Sequence, residues 1–109
     1  MPVFHRVQDG VMTVTVDGDF TADELTRKSN QALEARDPEM QLGILLDISG
    51  AAGAAGTPVS DLTKAFVDHP SQVSRIAVLG TQDDTELGGV PIKGFYRRAE
   101  ALDWLEAGA

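Results

Sequence analysis

An α/β fold, a small mixed β-sheet with helices packed on it, is the class this sequence predicts. Three observations lead there. Leu42–Ile48 is a nearly continuous apolar run, and Arg75–Leu79 is a second one; runs of that length suit strands covered on both faces, as in a parallel sheet between helices. Segments of helical periodicity follow these strands. The chain also opens with two β-rich stretches, Val3 to Gln8 and Val11 to Val16, joined by Asp9-Gly10, which is a two-residue type I′ turn signal.

The elements follow in order. In the second strand Met12, Val14 and Val16 face one way and Thr13 and Thr15 the other, so one face is buried. Thr21-Ala-Asp-Glu24 has the form of a capping box and opens the first helix. Ala22, Leu25, Ser29, Ala32 and Leu33 continue at helical spacing, and Asp37-Pro38 is expected to end the helix, because the residue before proline is pushed out of helical geometry. After Leu42–Ile48 comes a small-residue loop, Gly50 to Gly56. Thr57-Pro58 then starts a helix with a capping residue and a proline in its first position. Val59, Leu62 and Phe66 form its buried stripe, and His69-Pro70 closes it. Beyond the strand Arg75–Leu79, Thr81 to Gly89 is polar and acidic and is expected to be a loop. Ile92 to Tyr96 reads as the last strand. Arg97 to Ala107 reads as the last helix, with Ala101, Leu102, Trp104 and Leu105 in one apolar sector and a stop at Gly108. The order is ββαβαβ(loop)βα, with right-handed crossovers joining the parallel strands.

Composition narrows the function classes. The 109 residues make one domain. Zero Cys excludes a disulfide framework, thiolate zinc sites and cysteine nucleophiles. With 9 basic against 17 acidic residues the net charge is −8, so nucleic acid and anionic membrane would be repelled by most of the surface. No run approaches a spanning helix and the first residues have no apolar core of a leader; the expectation is a cytoplasmic protein without membrane insertion.

Candidate chemistry gathers where parallel strands end. Asp17, Asp19, Asp47, Ser49, Thr81, Asp83 and Asp84 should share that edge, and converging carboxylates can hold Mg²⁺ through oxygen ligands. With Lys93 the set resembles a response-regulator receiver, although receivers open with a strand and a helix rather than a hairpin. The simpler reading of these acids is turn formers, helix caps and solubility charges. The loop holding Gly50, Gly53 and Gly56 sits where phosphate-binding loops sit, yet it lacks G-x-G-x-x-G and any lysine; it is read as a partner-facing or ligand-facing loop together with Ser49, Thr57 and Ser60. Lys93, Arg97 and Arg98 form the one basic cluster, read as a solvated strand-to-helix junction or else as a candidate contact for an anionic partner or ligand. His5 and His69 are read as structural. No catalytic, cofactor or metal set is assigned.

The hairpin, the capped first helix, the strand ending Leu-Leu-Asp-Ile-Ser49 and the small-residue loop resemble a STAS-type domain, the sulfate-transporter and anti-sigma-factor-antagonist family. Arg75-Ile-Ala-Val-Leu-Gly80 and the closing Phe95 followed by Ala99-Glu-Ala-Leu-Asp-Trp-Leu105 resemble its SpoIIAA-like branch. The resemblance implies a small mixed sheet and a non-enzymatic domain that binds partner proteins, with some members binding nucleotides or lipids. Sigma-factor antagonists carry a phosphorylated serine in Asp-Ser-Ser-Gly after the third strand. The corresponding stretch here is Gly56-Thr-Pro-Val-Ser-Asp61, so Thr57 is expected to be a helix cap, and neither it nor Ser60 a phosphorylation switch.

The leading expectation is a regulatory or protein-interaction module whose partner is another protein, a homodimer included. The alternative is a module for a small-molecule or lipid-like ligand, held where the small residues Ser29, Ala32 and Gly43 leave space or else allow close packing. The least favoured is a Mg²⁺-dependent phosphoryl-transfer site.

Overall fold

The computed structural model describes residues 3–36, 41–52, 59–81 and 84–107. Its elements are β1 (Val3–Gln8), β2 (Val11–Asp19), α1 (Ala22–Glu34), β3 (Leu42–Ala52), α2 (Val59–Leu62), α3 (Lys64–Val67), β4 (Val73–Leu79), β5 (Thr85–Leu87), β6 (Val90–Phe95) and α4 (Arg98–Ala107). The strands form one mixed sheet in the order β1-β2-β3-β4-β6-β5. The inner four, β2, β3, β4 and β6, run parallel, while β1 and β5 pair antiparallel at the two edges.

Local chemistry accounts for the first elements. Asp9 and Gly10 both have positive φ, 54° and 78°, as a type I′ turn requires. The Thr21 hydroxyl accepts from the Glu24 amide at 3.1 Å, capping α1 as the sequence predicts. The end of α1 differs from expectation: the helix stops at Glu34, where the Ala35 amide donates to the Gln31 carbonyl and the Arg36 amide to the Leu33 carbonyl. Asp37-Pro38 lies outside the described residues.

The strand order places the helices. Moving from β2 to β3 to β4 in one direction across the sheet, right-handed crossovers put both connections on the same face. There α1, α2 and α3 cover the main core, which holds Val14, Leu25, Leu33, Ile44, Leu46, Leu62, Phe66, Ile76 and Val78. α4 returns to the opposite face and closes a second, smaller cluster with Leu45, Ala77, Leu79, Ala101 and Leu105. β3 alternates accordingly: Leu42, Ile44, Leu46 and Ile48 meet one layer, and Gly43 and Leu45 meet the other.

Three expectations are corrected. First, the small-residue segment is not all loop. A bulge between Thr15 and Asp17 carries β2 on to Asp19, and Asp17, Gly18 and Asp19 pair with Gly50, Ala51 and Ala52; a neighbouring parallel strand satisfies backbone groups that local sequence leaves open. Second, the helix after the loop is two short helices interrupted at the buried Thr63, although Leu62 and Phe66 are buried as the stripe requires. Third, Thr81 to Gly89 contains the edge strand β5. Gly88 and Gly89, both at positive φ, turn it onto β6, with Leu87 opposite Val90. The Gly-Gly pair between β-forming residues is the turn signal that marks this hairpin. Smaller differences are that β6 spans Val90–Phe95 and so leaves Tyr96 outside it, and that α4 begins at Arg98, after Arg97.

His5 lies on β1 against α1, with Nε2 3.1 Å from the Ser29 hydroxyl oxygen. Burial, and then the nearby Lys28 ammonium, lower its pKa from 6.5. The unfolded chain therefore binds this proton more readily than the folded one. Stability is expected to fall as the pH drops below about 6.5, toward the depressed folded value. A His5→Gln variant should lose that part of the slope in urea titrations between pH 7 and 5; a wild-type slope retained in the variant would assign the loss to other groups.

Candidate functional site

The carboxyl-terminal ends of β2, β3, β4 and β6 meet at one edge of the sheet, as the topology requires. Asp47 sits in the middle of this edge, one strand in from Thr15 and next to Leu79. Both of its oxygens are engaged. Oδ1 accepts from the Ser49 amide at 3.0 Å and from the Ser49 hydroxyl at 2.6 Å. Oδ2 receives the Arg98 guanidinium at 3.0 Å, from the first turn of α4. A half-exposed pair of this kind contributes about 1 kcal/mol or less; its consequence is that Asp47 is already neutralised by its own chain.

The other sequence-selected residues are distributed around this centre. Ser49 and Gly50 are exposed at the end of β3. Gly50 lies close under the Asp17 carboxylate, where an added Cβ would come within 3.0 Å of Oδ1. Ser60 is exposed on α2. Gly53, Gly56, Thr57 and Asp83 fall outside the described residues. Asp84 does not join Asp47; its carboxylate accepts from the Gly94 amide on β6 at 3.3 Å. Among the described residues no three His, Asp or Glu side chains converge as metal ligands would.

The basic cluster separates into three different environments. Arg98 is committed to Asp47. Lys93 lies over the Phe95 ring, its Nζ 5.5 Å from the centroid. Arg97 is exposed beside Tyr96, the two of them lining a shallow open depression with Lys93, Phe95 and Glu100. Phe95 in turn tilts against Trp104 at 5.7 Å, and Arg75 covers the other aromatic contact of that indole, 4.8 Å from its centroid, while donating to the Trp104 carbonyl at 2.9 Å. Trp104 is thus a half-buried part of the α4 packing.

The small residues do not share one space: Gly43 borders a depression of about 230 Å³ with Val11, Gln41, Ser74 and Leu105, and Ser29 and Ala32 are not part of it. A Cβ on Gly43 would meet Leu105 at 3.3 Å, so this glycine lets α4 approach β3. Ser29 is fully buried against His5, and Ala32 packs against the main core.

A family model described as SpoIIAA-like matches residues 11–106. The chain belongs to the SpoIIAA-like family. The crystal structure of an uncharacterized protein from the DUF3478 family with a SpoIIAA-like fold, from Shewanella loihica PV-4, is similar to it at 24% identity and a TM-score of 0.53, covering 94% of this chain and 91% of that one. At that identity the likeness speaks for the fold. No curated protein matches the chain. Among the described residues, no helix of this SpoIIAA-like domain is long and apolar enough to cross a membrane.

The open face of β1 and β2 is the feature that residue-by-residue reading missed. α4 covers β3, β4 and β6 but stops short of Phe4, Arg6, Gln8, Thr13 and Thr15. Strand alternation already puts Thr13 and Thr15 on the face away from the main core. Nothing in the local sequence says that α4 leaves that face bare.

Proposed function

We propose that this SpoIIAA-like domain is a non-enzymatic regulatory or protein-interaction module acting in the cytoplasm. The observation that carries this reading is Asp47. In open α/β sheets, ligands and chemistry collect beyond the carboxyl ends of the strands. Here the central carboxylate of that edge spends both oxygens on Ser49 and Arg98. What is left is exposed surface: Ser49, Gly50 and Ser60, with Lys93 and Arg97 farther along. We assign these residues, with Gly53, Gly56 and Thr57 beyond the described ones, as candidate partner contacts.

The metal alternative makes a clear demand. A Mg²⁺ ion at Asp47 would have to displace Arg98 and the Ser49 hydroxyl, so calorimetric titration should show no binding tighter than millimolar. Micromolar affinity that disappears in Asp47→Asn would revive phosphoryl transfer. Native mass spectrometry tests the main reading. The expected spectrum holds the bare chain, its oligomers or its complex with another protein. A stoichiometric small molecule retained through purification would overturn the reading in favour of a ligand-binding module.

A further inference from the structure

The chain carries nearly two acidic residues for each basic one, yet the bare sheet face has the opposite character. A groove of about 360 Å³ is lined by Phe4, Arg6, Gln8, Thr13, Thr15 and Arg98, with no acid among them. Arg98 at its rim is already paired with Asp47. Arg6 is exposed and has no carboxylate partner among the described residues. Phe4, 58% exposed, stands beside it as one of two large apolar side chains open to solvent among the described residues. The register sets Phe4 opposite Thr15 and Arg6 opposite Thr13, so an apolar wall, a guanidinium and two hydroxyls form a ladder along the strands.

The groove continues. Past Gln8, Thr13 and Arg98 it joins a second depression between β2 and α4, lined also by Asp9, Val11, Leu102 and Glu106. Its half-buried apolar floor is Val11 and Leu102, and its acids lie at the far end. From Val11 to Thr15 the track is about 13 Å long, the span of four or five extended residues. A small anion would fill only one end of such a track.

We propose that this face docks an extended segment of a partner protein, with a carboxylate at Arg6, midway along the track, and apolar side chains against Phe4 at one end and against Val11 and Leu102 at the other. Charge complementarity favours an acidic partner over a second copy of this chain. The groove lining holds no carboxylate, so a copy that presented this groove to itself would leave Arg6 of both chains without an acid to meet. The proposal rests on the interaction-module reading and adds a second surface, distinct from the strand-end edge, with the chemistry of the partner it fits.

The test uses the full chain, ¹⁵N-labelled, with three probes: an alternating glutamate–leucine hexapeptide, the matching lysine–leucine hexapeptide, and inorganic phosphate. The glutamate peptide should shift the amide signals of residues 4–8, 11–15 and 98–102, and the lysine peptide should not. Arg6→Glu should weaken the glutamate peptide at least tenfold with an unchanged melting temperature, and Phe4→Ser should weaken it severalfold. The proposal is overturned by equal responses to the two peptides, by no response to either, or by shifts confined to the Ser49 and Lys93–Arg97 edge. The same shifts with phosphate alone would also overturn it, reducing the face to an anion site. Failure of the wider reading looks different, since a small molecule would then accompany the purified chain whatever the peptides do.

Discussion

Leu46→Ala lowers the unfolding free energy by about 2–5 kcal/mol. Leu46 is fully buried at the centre of β3, opposite Val14 on one side and Val78 on the other. Both neighbours belong to the same core. Truncation removes the buried methyl groups and leaves a cavity between two strands that are themselves held by the sheet, so the site cannot collapse to refill it. Urea titration followed by the fluorescence of Trp104, the chain's only tryptophan, measures the loss. A change below about 1 kcal/mol would contradict central burial of β3.

Phe66→Ala should cost as much or more, about 3–5 kcal/mol. α2 and α3 have four residues each, far below the length at which a helix sustains itself in water. Their position therefore depends on tertiary contacts. Phe66 is fully buried in the main core, and beyond it the His69 Nε2 lies 3.0 Å from the Asn30 side-chain oxygen on α1. Gln72 adds a buried bond from its amide nitrogen to the Leu33 carbonyl at 3.0 Å. Loss of the phenyl ring removes the largest of these anchors, so hydrogen exchange over residues 59–67 should accelerate more than exchange in β3. Uniform acceleration across the chain would show that the two short helices unfold only with the whole domain.

Where chemistry is local, sequence and structure agree. Asp9-Gly10 turns the first hairpin because both residues accept positive φ, and Thr21 caps α1 because its hydroxyl reaches the Glu24 amide. The apolar runs at Leu42–Ile48 and Arg75–Leu79 lie in the middle of the sheet because their side chains are apolar on both faces and are covered by helices on both. Those features are sufficient to give the α/β class, and the family with it. The Gly88-Gly89 hairpin was equally legible, but the polar and acidic character of the surrounding stretch masked three strand residues whose pairing supplies what their side chains do not.

The rest depended on partners distant in sequence. Gly50, Ala51 and Ala52 have no strand preference of their own, and they extend β3 only because β2 runs on beside them after its bulge. Gly43 and Ser29 could have marked a cavity or close packing, and the choice fell to Leu105 and His5, which occupy those positions. Asp47 could be read from sequence as a turn former or, less simply, as a metal ligand, and nothing near it in the chain points to Arg98, fifty-one residues away, as its partner. The bare face of β1 and β2 follows from where α4 lands after the last crossover. Periodicity determines which side chains share a face of a strand, because that alternation is built into the backbone. Which of those faces another element then covers is a matter of packing across the whole fold, and only the tertiary structure decided it.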